Sequence, residues 1–409
     1  MERRSTQLAM TGFLALALSS CAGGDKQSGA AISSDRASAP LLPEGELTIL
    51  ALPAYIERGQ SDKAYDWVSA FEKSTTCAVT VKTATGAEEI VSSMANGNYD
   101  VVVAPDEAVW RLVAGGKVQP IDVTRIAAYR TIGTVFQNAA LHTIDAVHYG
   151  VPFQWGPKVL MYNSAVFKTP PVSWSALLQE QKLSDGKSSA GRVGTFDSPT
   201  ALADIAVYLK STQPGLGIDN PYELSEAQYQ AVLATMRAQK PLIRRYWHDA
   251  DAQISDFRQA EVVVSAARMY QVNALRRLQQ PVASTIPAEG TTGWADTSLI
   301  GSRAKHPNCA YAWLAWSLDR KVQGDIAAWL GSVPVVPAAC KDNLLLGAEG
   351  CAEHGAMKWK KSTSGEFRKQ NALMESACRS ADGPRTIWIT WPGNRAHIRP
   401  CRWISLEHS

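Results

Sequence analysis

Short apolar segments alternate with amphipathic segments along the first part of the chain. Apolar strands are predicted at 47–52, 77–83 and 99–104, with helices from Ser61, at 86–96 and from Asp106. In the helix from Ser61, the apolar residues Trp67, Val68 and Phe71 recur at helical spacing. This alternation predicts an α/β fold with a largely parallel sheet covered by helices on both faces.

The alternation resumes in the second part of the chain. Strands are predicted at 192–196, 261–265 and 281–286, an extended segment at 332–337, and helices at 174–180, from Pro199, from Ser225, at 309–319 and at 322–330. Ser225 and Gln228 have the spacing of a capping box. Ligands of such sheets bind beyond the carboxyl ends of the strands. The loops after Leu52 and Ala104 are therefore expected to face a cleft.

Residues 149–163 connect the two regions. They couple a Pro-aromatic-x-Trp-Gly turn to an apolar strand that ends in Tyr-Asn. Taken alone, the stretch fits either a turn followed by a buried strand or a crossing between two lobes. Its position between two α/β regions favours a hinge crossing, with Trp155 presented to the cleft.

The composition of the chain limits the possible folds and functions. The 409 residues are enough for two lobes, each with its own core. The chain is 45% hydrophobic and 19% charged, which is ordinary for a globular protein and gives no basic excess that would indicate nucleic-acid binding. From Met357 onward there are ten Lys/Arg against four Asp/Glu, whereas the preceding residues carry 31 against 34. The main body is thus slightly acidic and the tail is basic.

The N-terminus has the pattern of an export signal. Arg3 and Arg4 precede an apolar stretch at 8–18, which is too short to span a membrane. Small residues then lead to Cys21, as in the processing site of bacterial lipoproteins, where the cysteine is lipidated and holds the protein on a membrane. An ordinary secretory signal with an incidental cysteine is the alternative. Residues 22–45 are polar and small, and are interpreted as a flexible tether.

Export also determines how the other cysteines are interpreted. In an oxidising compartment, Cys340 and Cys351 are close enough in sequence for a local disulfide. Cys77 and Cys309 could pair, but the sequence leaves that open. No cysteine pair has the spacing of a zinc site, so neither a metal nor a cofactor is predicted.

The sequence lacks strong catalytic signatures. It has no G-x-S-x-G nucleophile elbow, and its GKS tripeptide lacks the earlier glycine of a phosphate loop because Gln181 stands there. The polar aromatic segment Tyr246 to Asp249 is interpreted as a packing cluster near a helix start, rather than as an acid–base pair. These absences argue against a hydrolase, and the protein is predicted not to be an enzyme.

The order of motifs resembles that of a known family. A lipoprotein processing site, a tether, a Tyr-Asp-Val-Val-Val strand, a Val-Pro-aromatic-x-Trp-Gly crossing and a later Gly-Trp-Ala-Asp-Thr segment follow one another. This resembles the periplasmic polyamine-binding components, of the spermidine/putrescine type, of bacterial ABC importers, over about residues 46–356. The resemblance implies a monomeric, two-lobed binding protein in the periplasm or at the cell surface, which delivers its ligand to a permease and ATPase complex.

The same resemblance implies lobe bounds and site residues. The first lobe would comprise 46–152 with 292–333, and the second 153–291 with 334–356. A polyamine needs carboxylates for its ammonium groups and aromatic faces along its methylenes. Tyr55, Trp155 and Asp197 match cleft positions of the family, and Trp294 and Asp296 match its stacking tryptophan and second carboxylate.

Three departures from the family concern the same cleft. Leu52 and Arg268 stand where the family has tryptophans, and Pro105 stands where it has a serine. A guanidinium at Arg268 would repel an ammonium, although Asp106 and Glu107 could compensate if they face the cleft. The resemblance thus leaves two ligand classes open: a polyamine, or a different amine that is zwitterionic or anionic.

The tail and the competing functions complete the sequence-based expectations. Residues 357–409 lack helical or strand periodicity, and we interpret them as an out-of-frame translation, because one permitted back-translation read one base earlier from Ala356 gives a more family-like segment. The alternative functions are a secreted hydrolase and a sensory or scaffold lipoprotein that does not transport.

Overall fold

The computed structural model describes residues 42–198, 200–347 and 351, and these belong to one compact unit. The expected signal peptide, the lipidated Cys21, nearly all of the tether and the tail at 357–409 lie outside the described residues. No helix within the described ranges is long and apolar enough to cross a membrane.

Thirteen strands and ten α-helices make up the described chain. The strands are β1 (Glu46–Ala51), β2 (Ala78–Thr83), β3 (Val101–Ala104), β4 (Thr143–Ile144), β5 (Val147–His148), β6 (Gly150–Pro157), β7 (Val159–Asn163), β8 (Val193–Phe196), β9 (Ile243–Trp247), β10 (Val264–Ala267), β11 (Val282–Thr285), β12 (Gly293–Ile300) and β13 (Val333–Pro334). The helices are α1 (Val68–Thr75), α2 (Ala87–Asn96), α3 (Asp106–Ala114), α4 (Ser175–Leu178), α5 (Thr200–Thr212), α6 (Glu226–Gln239), α7 (Ala250–Arg258), α8 (Met269–Arg277), α9 (Pro307–Trp316) and α10 (Arg320–Leu330).

Two mixed sheets form two lobes. The first sheet has the order β13-β6-β12-β3-β1-β2, and the second has the order β11-β7-β10-β8-β9. β1, β2 and β3 pair in parallel, as do β8, β9 and β10, whereas β6, β7, β11, β12 and β13 pair antiparallel to their neighbours. The α/β fold class is therefore confirmed. The sheets are less parallel than the sequence predicts because strands that enter from the other lobe run in the opposite direction.

The chain crosses between the sheets at two places that lie side by side. β6 belongs to the first sheet and β7 to the second, and only Lys158 separates them. The return passes from β11 to β12 through residues 286–292, and β6 pairs with β12 along most of its length. The Lys158 N–H donates to the Thr292 carbonyl at 3.0 Å, and the Thr291 hydroxyl donates to the Lys158 carbonyl at 2.8 Å. The two crossings are thus bonded to each other.

Two expected lobe bounds differ from the observed sheets. The first crossing lies at Lys158 and not at 152–153, because β6 continues in the first sheet to Pro157. Residues 334–356 were expected in the second lobe, but β13 pairs with β6, and Val335, Val336 and Cys351 belong to the first core. Backbone pairing with β6 retains this segment on the first lobe.

A buried ion pair anchors the first crossing. The Lys158 ammonium lies 2.8 Å from an Asp204 carboxylate oxygen on α5 and 3.0 Å from the Thr200 hydroxyl. The Thr292 hydroxyl of the second crossing donates to the other oxygen of Asp204. Lys158 and Asp204 are both almost fully buried, so each charge depends on the other. Both crossings are therefore tied to one helix of the second lobe.

The first helix begins later than its apolar spacing predicts. It starts at Val68 rather than near Ser61, because the Asp62 side chain accepts the Ala64 N–H in the preceding segment and the Asp66 side chain accepts the N–H of Ser69 in the first turn of the helix. Aspartate competes in this way with helical hydrogen bonding. Elsewhere the expected features hold: α3 begins at Asp106, and Ser225 and Gln228 form the capping box of α6.

The structure contains two disulfides among its described residues. Cys340 pairs with Cys351, and Cys77 pairs with Cys309 across a separation of 232 residues. Cys77 precedes β2 and Cys309 lies in α9, and both are fully buried in the first core. The long-range bridge therefore joins the beginning of the first lobe to the part of it that follows the return crossing.

Removing the long-range disulfide is expected to destabilise the protein substantially. Replacing Cys77 and Cys309 by alanine should lower the free energy of unfolding by about 2–5 kcal/mol in chemical denaturation, because a long crosslink restricts the unfolded chain most. The matched control replaces Cys340 and Cys351, which are 11 residues apart, and should cost less. An equal or larger loss in the control would contradict this expectation.

Removing the crossing cation should cost more than removing a surface one. Lys158→Met leaves the Asp204 carboxylate buried without a cation, which should lower the free energy of unfolding by about 3–5 kcal/mol. Adding Asp204→Leu should recover most of that loss. Arg244→Met, at the exposed pair with Glu261, serves as the control and should cost about 0–1 kcal/mol. A Lys158 effect as small as the control would refute the anchoring role.

Candidate functional site

A pocket lies between the two lobes at the carboxyl ends of their strands. The space not occupied by atoms amounts to about 360 Å³ and includes open solvent at its mouth. Asp106, Glu107 and Trp294 line it from the first lobe, and Phe196, Trp247 and Arg268 line it from the second. Lys158 lines it at the crossing. The position follows the rule for α/β sheets, since β3, β8, β9 and β10 all end at this pocket.

The acidic side of the pocket is the first turn of α3. Pro105 precedes the helix in an extended conformation, so that Asp106 and Glu107 occupy its first two positions. Carboxylates are favourable there because they face the positive end of the helix dipole. The sequence indicated that Asp106 and Glu107 could balance the charge of Arg268 if they faced the cleft. Both residues do line the pocket.

Asp106 is buried to 5% exposure and its ionisation is correspondingly difficult. Burial raises its pKa well above the ordinary value, and hydrogen bonding and repulsion from Glu107 raise it further. Arg268 and Asp296 act on it in opposite directions, the first lowering and the second raising the pKa. The group therefore ionises less readily than an ordinary carboxyl group, and a nearby cation opposes this shift.

Arg268 forms the cationic side of the pocket. It precedes α8 in the second lobe, and its Nη1 donates to the Tyr55 hydroxyl at 3.0 Å and to Asp296 Oδ2 at 3.2 Å. The Tyr55 hydroxyl also donates to Asp296. The guanidinium carbon lies 4.3 Å from the centre of the Trp294 ring, which is a cation–π contact. Three residues of the first lobe thus hold one cation of the second.

Trp294 packs its ring so close to Gly156 that a side chain at position 156 would be crowded. It pairs with Gly156 across β12 and β6, and a Cβ on Gly156 would stand 3.0 Å from the Trp294 ring. The ring therefore contacts both Gly156 and the guanidinium of Arg268. In the Trp-Gly dipeptide of the crossing motif, the glycine is therefore the residue that makes room for the Trp294 ring.

Burial and charge shift the ionisation of this cluster. Burial raises the pKa of Tyr55 well above its usual range, and the neighbouring Asp296 raises it further. Burial also raises the pKa of Asp296, although Arg268 and the Tyr55 hydrogen bond partly offset the effect. Burial disfavours the charged guanidinium of Arg268, but Asp296, Tyr55 and the carboxylates of α3 together raise its pKa. The arginine is therefore a permanent cation in this site.

Trp155 does not lie at the cleft, where the sequence predicts it. It was expected at the cleft, but it is 8% exposed, belongs to the core of the first lobe and donates its Nε1 hydrogen to the Pro334 carbonyl at 3.2 Å. The reason is the alternation of a strand: neighbouring positions face opposite sides. Because Gly156 receives Trp294, Trp155 lies on the other side.

Asp197 lies beside the pocket and not in its lining. It follows β8, and its backbone N–H donates to the Trp247 carbonyl at 2.7 Å. Burial raises the pKa of Asp197, and the nearby His248 lowers it. The flanking aromatic residues Phe196 and Trp247 line the pocket instead. The ligand role of Asp197 stays a prediction.

Three lining residues with charged or aromatic side chains were missed from the sequence. Phe196 and Trp247 end the parallel strands β8 and β9, so their position beyond strand ends was a usable signal. Trp247 had been placed in a packing cluster. Lys158 follows the crossing turn, but no sequence signal separates a buried hinge lysine from an exposed one. No group of three or more metal-ligating side chains occurs within the described ranges.

Comparisons with known proteins agree with this architecture. A putrescine/agmatine-binding protein of Pseudomonas aeruginosa is 25% identical over 305 residues, which cover 68% of this chain and 80% of that protein. The spermidine/putrescine ABC transporter substrate-binding protein PotD from Streptococcus pneumoniae is 16% identical, with a TM-score of 0.60 over 81% of this chain and 98% of that one. A solved structure described as a GABA receptor is 17% identical, with a TM-score of 0.60 over 81% and 96%.

At these identities the two solved structures show a shared fold and leave the ligand open. The family model described as bacterial extracellular solute-binding protein matches residues 66–344, which is more than half of the chain and includes both crossings. The chain therefore belongs to the bacterial extracellular solute-binding proteins.

Proposed function

We propose that this protein is the extracytoplasmic solute-binding component of an ABC importer and that it captures a small organic amine by an ammonium group. The observation that carries the proposal is the pocket between the lobes, with Asp106 and Glu107 on one wall and the rings of Phe196, Trp247 and Trp294 around them.

The charges of the pocket support an ammonium ligand. The two cations that line it are already engaged, Lys158 with Asp204 and Arg268 with Asp296. Asp106 and Glu107 are then the lining carboxylates that remain for a ligand. An ammonium between them would gain charge-assisted hydrogen bonds, and the aromatic faces would attract its charge. Such capture requires no covalent step.

The relatives and the N-terminal pattern support the cellular setting. The relative from Pseudomonas aeruginosa is named for putrescine and agmatine, which are amines, and PotD is named as an ABC transporter component. In the same setting, lipidation at Cys21 would hold a monomer at the membrane, and the loaded protein would deliver its ligand to the permease. Closure of two lobes around the pocket is the motion that suits such delivery.

Direct titration tests the ligand class. The full chain is titrated calorimetrically with putrescine, agmatine, spermidine, γ-aminobutyrate and inorganic phosphate. Heat with at least one amine and none with phosphate supports the proposal. Binding of phosphate alone would overturn it, because the acidic wall would then have no role.

Asp106 is expected to supply part of the affinity. Asp106→Asn should weaken amine binding by about 1.5–3 kcal/mol, the range for a hydrogen bond to a charged group. The control is Glu88→Gln, an exposed carboxylate on α2 that pairs with Arg111 and should leave the dissociation constant unchanged. Equal affinities of the Asp106 variant and the wild type would exclude Asp106 from the site.

Binding should also release a proton, since the pKa of Asp106 is raised in the empty pocket. A bound ammonium favours the ionised carboxylate, so affinity should rise with pH by up to about tenfold per unit and level off above the raised pKa. Titrations across pH in buffers of different ionisation enthalpy measure the released proton. Asp106→Asn should abolish both effects. A wild-type affinity that falls with rising pH would contradict this linkage.

A further inference from the structure

The side chain of Arg268 occupies a position built for a cation. An aromatic face, a carboxylate and a phenol hydroxyl converge there, from Trp294, Asp296 and Tyr55. These are the groups that bind an organic cation, and the protein fills the position with its own guanidinium. Asp296 is fully buried beneath it, so the carboxylate has a cation before any ligand arrives.

The occupant comes from the opposite lobe. Arg268 follows β10 in the second sheet, whereas Trp294 and Asp296 lie on β12 of the first. A second contact of the same kind lies outside the pocket, where the Arg277 guanidinium of α8 is 4.7 Å from the centre of the Trp329 ring of α10. Protein cations thus join the lobes at two cation–π contacts, of which only the Arg268 contact lies in the pocket.

Because Arg268 occupies this position, it determines which chemical group the second end of a ligand can carry. One ammonium can pair with Asp106 and Glu107, but a second ammonium would have to approach the guanidinium of Arg268. Both hydrogen bonds of that guanidinium to described residues leave from Nη1. Its remaining donors, Nε and Nη2, form the planar edge that binds a carboxylate bidentately.

We propose that Arg268 is the specificity-determining residue of the pocket and selects a short amine with an acidic group at its other end over a diamine. The inference rests on the proposed function, because it assumes that Asp106 and Glu107 hold the ammonium. It narrows the ligand from amines in general to zwitterionic ω-amino acids.

A matched pair of ligands tests the selection. Putrescine and γ-aminobutyrate have similar length and share one ammonium, but differ in whether the other end is an ammonium or a carboxylate. Each is titrated calorimetrically into the full-chain wild type and into Arg268→Gln. The wild type should bind γ-aminobutyrate at least about tenfold more tightly, since bidentate pairing replaces repulsion between like charges. Arg268→Gln should weaken γ-aminobutyrate binding at least about tenfold and strengthen putrescine binding, because it frees Asp296.

Two further variants keep the outcome decisive. Arg277→Gln removes the other cation that joins the lobes, and should leave the ratio of the two affinities unchanged. Arg268→Lys keeps the charge without the planar edge, so it should still reject putrescine while binding γ-aminobutyrate less tightly. Thermal unfolding checks that each variant is folded.

The possible failures are distinguishable. A wild type that prefers putrescine, or an Arg268→Gln variant with an unchanged ratio, overturns the selection by Arg268 and leaves the proposed amine binding intact. A folded wild type that binds neither these ligands nor agmatine nor spermidine overturns the proposed function, and the selection falls with it.

Discussion

The burial of Asp296 is the constraint from which the geometry of the pocket follows. Its carboxylate is fully buried on a strand that pairs on both sides, with β3 and with β6. Such a charge costs several kcal/mol to bury unless a cation accompanies it. The carboxylate cannot turn to solvent without disrupting the centre of the first sheet. The second lobe therefore supplies the cation through Arg268, and the contact between the lobes becomes part of the charge balance of the first.

The hinge contains a second buried ion pair, in which the second lobe supplies the carboxylate instead of the cation. Lys158 lies at the crossing and Asp204 in the second lobe, and both are buried. The two ion pairs flank the pocket, one at the crossing and one near the cleft. In each pair one cation balances one buried carboxylate, but Arg268 still lines the pocket and both of its side-chain hydrogen bonds to described residues leave from Nη1. The acidic first turn of α3 lines the same pocket with Asp106 and Glu107, and it is the part that the proposed function assigns to an ammonium.

The sequence was sufficient for the architecture because periodicity and strand ends are local signals. The strand–helix alternation, the crossing near 149–163 and the start of α3 at Asp106 all follow from neighbouring residues. The burial of Trp155 could not be predicted in this way. Which side of β6 faces the cleft depends on the pairing of Gly156 with Trp294, which is not a local signal. The partner of Arg268 was equally out of reach: the sequence predicted a cation in the pocket, but only the fold places it against Asp296.

The departures from the polyamine-binding pattern make physical sense when they are taken together. Arg268 alone would remove an aromatic ring and add a repulsive charge, and Pro105 alone would remove a hydroxyl. In the structure, Pro105 starts α3 so that Asp106 and Glu107 reach the pocket, while Arg268 neutralises Asp296. The carboxylates that line the pocket are those at the start of α3, and the Asp296 end of the pocket presents the guanidinium of Arg268. The pocket is polarised, with an acidic wall and a basic wall, and a ligand that carries both charges is the one that satisfies it.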